Sequence, residues 1–331
     1  MNPMPSNDGT LELIERGARR WATEHSSLVQ TSPSGFTDAL FDALRDQGWL
    51  PASAQELSEW SPSMLARVGR GLGGDAAAAF LPVLTHVVAG ELLRQSTLFE
   101  RAGLLATSPF WDFLREECPL TVECSHGRNS LRGKLSMVVH SDSAALLVVA
   151  ARDREGNPAI AAVRVGADNV TLHEPHATLG LRGPIVRTVD FNSVTVDDLV
   201  CGDTAREIME SAALSLRWGA VGLLAGIVAK ASAAAAEYAE LRFQGGRRIA
   251  EHSAVGRLLQ VAHGAARQFD GWLGGLDAQL INEAPLAEAR AAALRATEAA
   301  LQVFGGSGYI CPSIAERCWR DARQAATLCS S

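Results

Sequence analysis

From Thr204 to the Gly245-Gly246 pair the chain runs for about forty residues at helical spacing without a proline. At about 1.5 Å per residue this is a rod of roughly 60 Å, and a rod of that length needs several partner helices to bury its apolar face. A helix bundle follows. Thr204 and Glu207, spaced as a capping box, predict its start. The segments Arg247 to Leu276, Pro285 to Phe304 and Ser313 to Leu328 complete four helices, and Ser313 with Glu316, just after Pro312, predicts a second capping box. Alanine runs at 231–236 and 291–293 keep one helix face small enough for close packing within the bundle or between subunits.

Upstream the pattern changes twice. Between Thr10 and Phe110 apolar residues recur at helical spacing, as in Leu40, Phe41 and Leu44 ahead of Gly48. From Pro119 to about Val200, short β-branched or alternating runs are separated by Gly, Asn and Asp turns. The expected fold is therefore α+β, with an N-terminal helical domain at 1–118, a middle β-domain at 119–203 and a C-terminal four-helix bundle at 204–331. A chain of 331 residues with 47% hydrophobic and 20% charged residues supports such a core. The net charge of -7 gives no basic footprint, so nucleic acid is not an expected partner. No signal peptide and no apolar run of membrane length is read, which predicts a cytoplasmic protein without a membrane partner. Six cysteines without a CxxC pair, and eight histidines without ligand spacing, predict reduced thiols and no metal site.

Two glycine-containing segments carry candidate chemistry. Arg242, expected in the last helical turn before Gly245, is either a cation at the negative helix end with Gly245 as its C′ cap, or a fork of donors for a phosphate. Gly305, Gly306 and Gly308 are either helix-stop residues or positions where backbone approaches a flat or anionic ligand. The run Gln302-Val303-Phe304-Gly305-Gly306-Ser307-Gly308-Tyr309, followed by Arg320-Asp321-Ala322-Arg323, resembles the QxxGGxG(Y/F) stretch and RDA(R/K) helix of the acyl-CoA dehydrogenase family. Tyr238 to Gly246 is similar to that family's YxxxRxQFG, with Arg242, Gln244 and Gly246 in register and Gly245 in place of Phe. Weaker echoes lie at Leu44 to Leu50 and Leu179 to Gly183. The resemblance spans nearly the whole chain. It implies an FAD-dependent dehydrogenase acting on an acyl-CoA, in which Arg242, Gln244, Gly246, Gln302, Val303, Gly305, Gly306 and Gly308 contact FAD bound mainly by a neighbouring subunit.

The departures are selective. A glutamate abstracts the substrate's α-proton in this family, but Leu216 stands at one of its two positions, 26 residues before Arg242, and Cys329 at the other. No catalytic residue is therefore assigned in this chain. Glu207, Glu210 and Glu240 are solvated-face acids before they are displaced bases. No TEPxAGSD flavin loop is found around Ser108 to Pro119, the "WIT" strand becomes Met137-Val138-Val139, and His252-Ser253 replaces Phe-Gln. Parts that would hold FAD in the chain's own cleft are missing, while parts that reach a neighbour's FAD remain. This resembles the smaller, base-less subunit of the α2β2 acyl-CoA dehydrogenases of bacterial steroid degradation, and implies a larger partner subunit that carries the glutamate and shares the FAD. The alternative is a flavin-free homo-oligomer that binds acyl-CoA or acts as a scaffold.

Overall fold

A computed structural model describes residues 7–30, 36–99, 103–109, 118–125, 128–140, 143–277 and 284–328. The first helices are α1 (Asn7–Gln30), α2 (Asp38–Asp46), α3 (Ala54–Ser58), α4 (Pro62–Gly73) and α5 (Phe80–Leu92). Leu40, Phe41 and Leu44 form the buried face of α2, and Gly48 takes a φ of +73° just past its end. Ser61 caps α4 through the Met64 amide, with Pro62 opening the helix. All thirteen residues of α5 are buried, so its polar side chains must find partners inside the protein. His86 does so at both nitrogens: Nε2 donates to Pro51 O (2.8 Å) and Nδ1 accepts from Leu105 N (3.1 Å). Burial lowers its pKa to about 4, which keeps the ring neutral in this clamp.

The strands are β1 (Leu105–Ala106), β2 (Leu120–Ser125), β3 (Arg128–Val139), β4 (Leu146–Arg152), β5 (Pro158–Arg164), β6 (Val170–Leu172), β7 (Val186–Thr195) and β8 (Asp198–Cys201). They form one sheet in the order β6-β7-β3-β2-β4-β5-β8, with β1 added parallel to β4. Residues of β4 and β5 are buried on both faces. Leu147, Val149, Ala159 and Ala161 belong to a core within the β-region, and Val148, Ala150, Ile160 and Ala162 join the helical core. The period-2 alternation of a strand thus ties the sheet to the helices.

Helices return as α6 (Gly202–Leu241), α7 (Ser253–Asp277), α8 (Leu286–Val303) and α9 (Ile314–Ala325). The expected order of helices, sheet and four-helix bundle is the observed one. Helix α6 is the axis of the bundle and also packs against α4 and α5. Its contact with α4 is backbone on backbone: a Cβ on Gly222 would lie 2.1 Å from Ala66 O, one on Gly226 2.3 Å from Arg70 O, and one on Gly73 2.6 Å from Leu223 O. Only glycine permits this approach. On the outer side of α4, Glu15 of α1 accepts from Arg67 (2.8 Å) and pairs with Arg70 (3.2 Å).

Three local expectations are corrected. Helix α6 starts at Gly202, whose φ of +71° turns the chain out of β8, so Thr204 lies inside the first turn and no capping box forms. Ser313 does occupy the N-cap of α9, but its side chain makes no cap bond, and the Glu316 carboxylate pairs with Arg320, so no capping box forms. Helix α6 is also long and apolar enough to cross a membrane by length and composition, contrary to the expectation from sequence. Its most apolar window is 83% buried inside the protein, so that apolarity belongs to the core.

The glycine contact is testable. Gly222→Ala forces a methyl group into Ala66 O and is expected to destabilise the chain by about 3 kcal/mol or more, since neighbouring backbone cannot yield. Gly256→Ala in α7, where a Cβ meets nothing within 4 Å, is expected to stabilise it by roughly 0.5–1 kcal/mol. Chemical denaturation midpoints of the two variants check both signs.

Candidate functional site

One end of the bundle gathers both glycine-containing segments. Helix α6 stops at Leu241, and Arg242 follows in extended conformation (φ -84°, ψ 126°), so it is not in the last helical turn. Nor is Gly245 a C′ cap. Gly245 and Gly246, at φ +64° and +79°, are the two central residues of a tight hairpin joining β9 (Phe243–Gln244) to β10 (Arg247–Arg248), with Gln244 paired to Arg247. Positive φ at both centres is the type I′ requirement. His252 pins this hairpin: its Nε2 donates to Gln244 O (3.0 Å) and its Nδ1 accepts from the Arg247 guanidinium (3.2 Å), which fixes the tautomer.

The second segment lies alongside. Tyr238, one turn before Arg242, stacks on Phe304 with ring centroids 4.4 Å apart and hydrogen-bonds Ser307 Oγ at 3.2 Å. Ser307 in turn donates to Phe304 O (2.7 Å), which closes the short helix at Gly305–Tyr309 onto the end of α8. Val303 and Gly308 are buried here, and a Cβ on Gly308 would press on Leu301 O and Phe304 Cβ at 2.8 Å. Their role in the fold is to seat the turn. The Gln302 side chain donates to Tyr309 OH. Gly305 needs its positive φ of +58°, whereas Gly306 has neither a positive φ nor a neighbour within 4 Å of a Cβ. Nothing among the described residues requires glycine at 306.

The surface so made is apolar and cationic. Leu241, Phe243, Tyr309 and Ile310 are each more than half exposed. Arg242 is exposed, and its guanidinium has no hydrogen bond or ion pair among the described residues. The RDAR residues, by contrast, are structural. Asp321 accepts from Leu181 N (2.7 Å), and Arg323 stacks on Trp319 (4.4 Å) while both donate to Glu298 on α8.

The position of the chain's own cleft differs. Leu216 is 1% exposed within the helical core, and Val139 is fully buried in the same core behind a bulge at Met137 (φ 60°). Cys329 and residues 110–117, within the stretch expected to lack a flavin loop, lie outside the described residues. Glu207, Glu210 and Glu240 are exposed, and Glu240 pairs with Arg248 (3.2 Å). Among the described residues, no group of three or more His, Cys, Asp or Glu is placed to hold a metal ion.

One acid escaped the sequence reading. Glu91, on the wholly buried α5, accepts from Ser215 Oγ (2.7 Å) beside Leu216, and its other oxygen is buried without a partner. Burial raises its pKa to about 7. The signal was present: a helix apolar on every side leaves any carboxylate on it inside the protein.

No protein-family model matches the sequence, and no curated protein matches it. Solved structures do. The butyryl-CoA dehydrogenase of Megasphaera elsdenii aligns at a TM-score of 0.76 with 17% identity, over 98% of this chain and 94% of that one. A Tcur3481-Tcur3483 steroid ACAD variant aligns at 0.81 with 18% identity, over 97% and 93%. The glutaryl-CoA dehydrogenase of Mycobacterium smegmatis aligns at 0.77 with 14% identity, over 94% and 89%. The chain has the acyl-CoA dehydrogenase fold over nearly its whole length.

Glu91 sets a pH dependence. Its carboxyl is neutral in the folded protein up to about pH 7 but ionises near 4.5 when unfolded, so stability falls as pH rises through that interval. Glu91→Gln removes the titration. It is expected to stabilise the protein by on the order of 3 kcal/mol at pH 8 and to change little at pH 4. Denaturation curves at the two pH values check the difference.

Proposed function

We propose that this chain is the base-less subunit of an FAD-dependent acyl-CoA dehydrogenase, in which its bundle end completes a flavin site held mainly by a larger partner. The observation that carries this reading is the contrast between the two places a flavin could meet the chain. At the bundle end, an exposed and uncommitted Arg242 stands beside a Gly306 that the chain's own packing does not require. In the interior, apolar Leu216 and Val139 are buried where a base and a ring contact would be needed. The residues present fit the outer contact and do not fit the inner one.

When bound, FAD supplies the hydride acceptor for α,β-dehydrogenation. This chain would hold it and do no proton chemistry. Arg242 offers a planar fork of donors to a pyrophosphate oxygen, and the open backbone at Gly305 and Gly306 lets an extended ligand lie against the turn. Gln244 and Gln302 add polar side chains at the same end, and Gly246 supplies the hairpin that presents Arg242. The apolar rim at Leu241, Phe243, Tyr309 and Ile310 favours a covering protein subunit over water. The Tcur3481-Tcur3483 neighbour is a steroid enzyme by its description, which supports a bulky, steroid-derived acyl-CoA as the substrate of the assembly. The homo-oligomeric, flavin-free alternative shares the buried Leu216 and Val139, and leaves Gly306 and Arg242 without a ligand.

Two measurements test this reading. The chain purified alone is expected to carry no stoichiometric FAD, which an absorbance spectrum decides. In the co-purified complex, Arg242→Ala is expected to weaken flavin retention by about 1.5–3 kcal/mol, roughly 10- to 150-fold, with Arg242→Lys restoring only part. Unchanged flavin occupancy with a small drop in thermal midpoint would defeat it.

A further inference from the structure

A separate cleft opens where helices, sheet and bundle meet. Its volume is about 380 Å³, within the range of small-molecule sites, and none of the residues assigned above to the bundle end line it. Val29 at the end of α1, Asp75 and Ala78 after α4, Arg182 on the connection into β7, and the start of α9 from Cys311 onward form its walls.

The lining balances three arginines against three carboxylates, and an adjoining lysine leaves one cation in excess. Arg182, Arg317 and Arg320 line the cleft and Lys230 adjoins it, against the carboxylates of Asp75, Glu316 and Asp321. The acids are already engaged. Asp75 is bound by Lys230 (2.8 Å) with Arg317 at 3.6 Å, Glu316 pairs with Arg320, and Asp321 accepts from Leu181 N (2.7 Å). Arg317 also donates to Gly74 O (3.0 Å) and Arg320 to Leu179 O (3.0 Å). Arg182 remains exposed, with no hydrogen bond or ion pair within 4 Å among the described residues, although its charge acts on Glu316.

Beside it begins α9, twelve residues long, whose N-cap Ser313 gives no side-chain oxygen to the first-turn amides. Donors therefore outnumber acceptors on this side, and the positive end of the helix adds to them. Val29, Ala77 and Ala78 add apolar surface to the lining. Cys311 is no nucleophile here, because its hydrogen bond to Glu316 raises its pKa and keeps it a thiol.

We infer that this junction is a second ligand site that takes a small amphipathic carboxylate. The anionic head lies between Arg182 and the start of α9, and the short apolar body lies against Val29, Ala77 and Ala78. The site is independent of the flavin reading, since none of its residues are used there.

Calorimetric titration of the full chain with sodium hexanoate, hexanol and inorganic phosphate tests it. Hexanoate is expected to bind one per chain and hexanol not at all. Arg182→Gln should weaken hexanoate at least tenfold. Glu316→Gln, which removes a competing carboxylate from the same wall, should strengthen it. Arg242→Ala should leave it unchanged, which separates this site from the bundle end. No heat with hexanoate, or equal binding by Arg182→Gln, overturns the proposal. Inorganic phosphate binding as tightly as hexanoate overturns its apolar half.

Discussion

The structure depends on how closely α4 and α6 approach. Two ordinary helices are held 8–10 Å apart by their side chains, but here Gly222 and Gly226 set bare backbone against Ala66 and Arg70. That contact decides where everything else stands. Helix α6 carries Leu216 and Ser215 into the core and projects Arg242 beyond it, while α4 brings Asp75 to the junction cleft and, through Glu15, holds α1. The sheet is fixed to the same body by Asp321, which binds Leu181, and by Gly180, where a Cβ would lie 2.2 Å from Arg320 O.

Much of this was legible because it follows from periodicity. A forty-residue apolar helix, short β-branched strands, and helices with alanine faces are separate physical solutions to burial, and each leaves its own repeat in the sequence. The finer features were not legible for identifiable reasons. Gly245 and Gly246 require positive φ whether they cap a helix or turn a hairpin, so residue type alone does not choose between them. Thr204 and Glu207 have capping-box spacing, but Gly202 begins the helix before the box is reached. Sequence also says nothing about what lies across from a glycine. Gly222 and Gly306 are the same residue in two helical segments, yet one faces Ala66 O at 2.1 Å and the other faces open space. Glu91 lies far in sequence from Leu216 and Cys329, and its only signal is the all-apolar helix around it, which implies burial.

The chain thus separates its polar chemistry by depth. Several interior polar groups are engaged with the fold: His86 ties Pro51 to β1, Thr85 bonds Leu81 O at 2.9 Å, and one oxygen of Glu91 binds Ser215, while its other oxygen, Trp218 Nε1 and Ser232 Oγ are buried without a hydrogen-bond partner among the described residues. Exposed donors without a partner among the described residues include Arg242 at the bundle end and Arg182 at the junction. A cationic, apolar-rimmed end on an acidic chain of net charge -7 concentrates opposite-sign attraction in one place, which favours a single orientation of approach.

The α4–α6 contact also joins parts of the chain that are far apart in sequence. Ala66 and Gly222 touch although 156 residues separate them, and the whole sheet lies in the intervening chain. Closing so long a loop costs entropy before any contact repays it, and a compact sheet between the two helices shortens the loop that has to close. The core shared by the early and late helices exists only when both are present, and one face of β4 and β5 belongs to it as well. A nascent chain holds α4 without its partner until α6 has left the ribosome, so its glycine face waits uncovered through more than a hundred residues of synthesis.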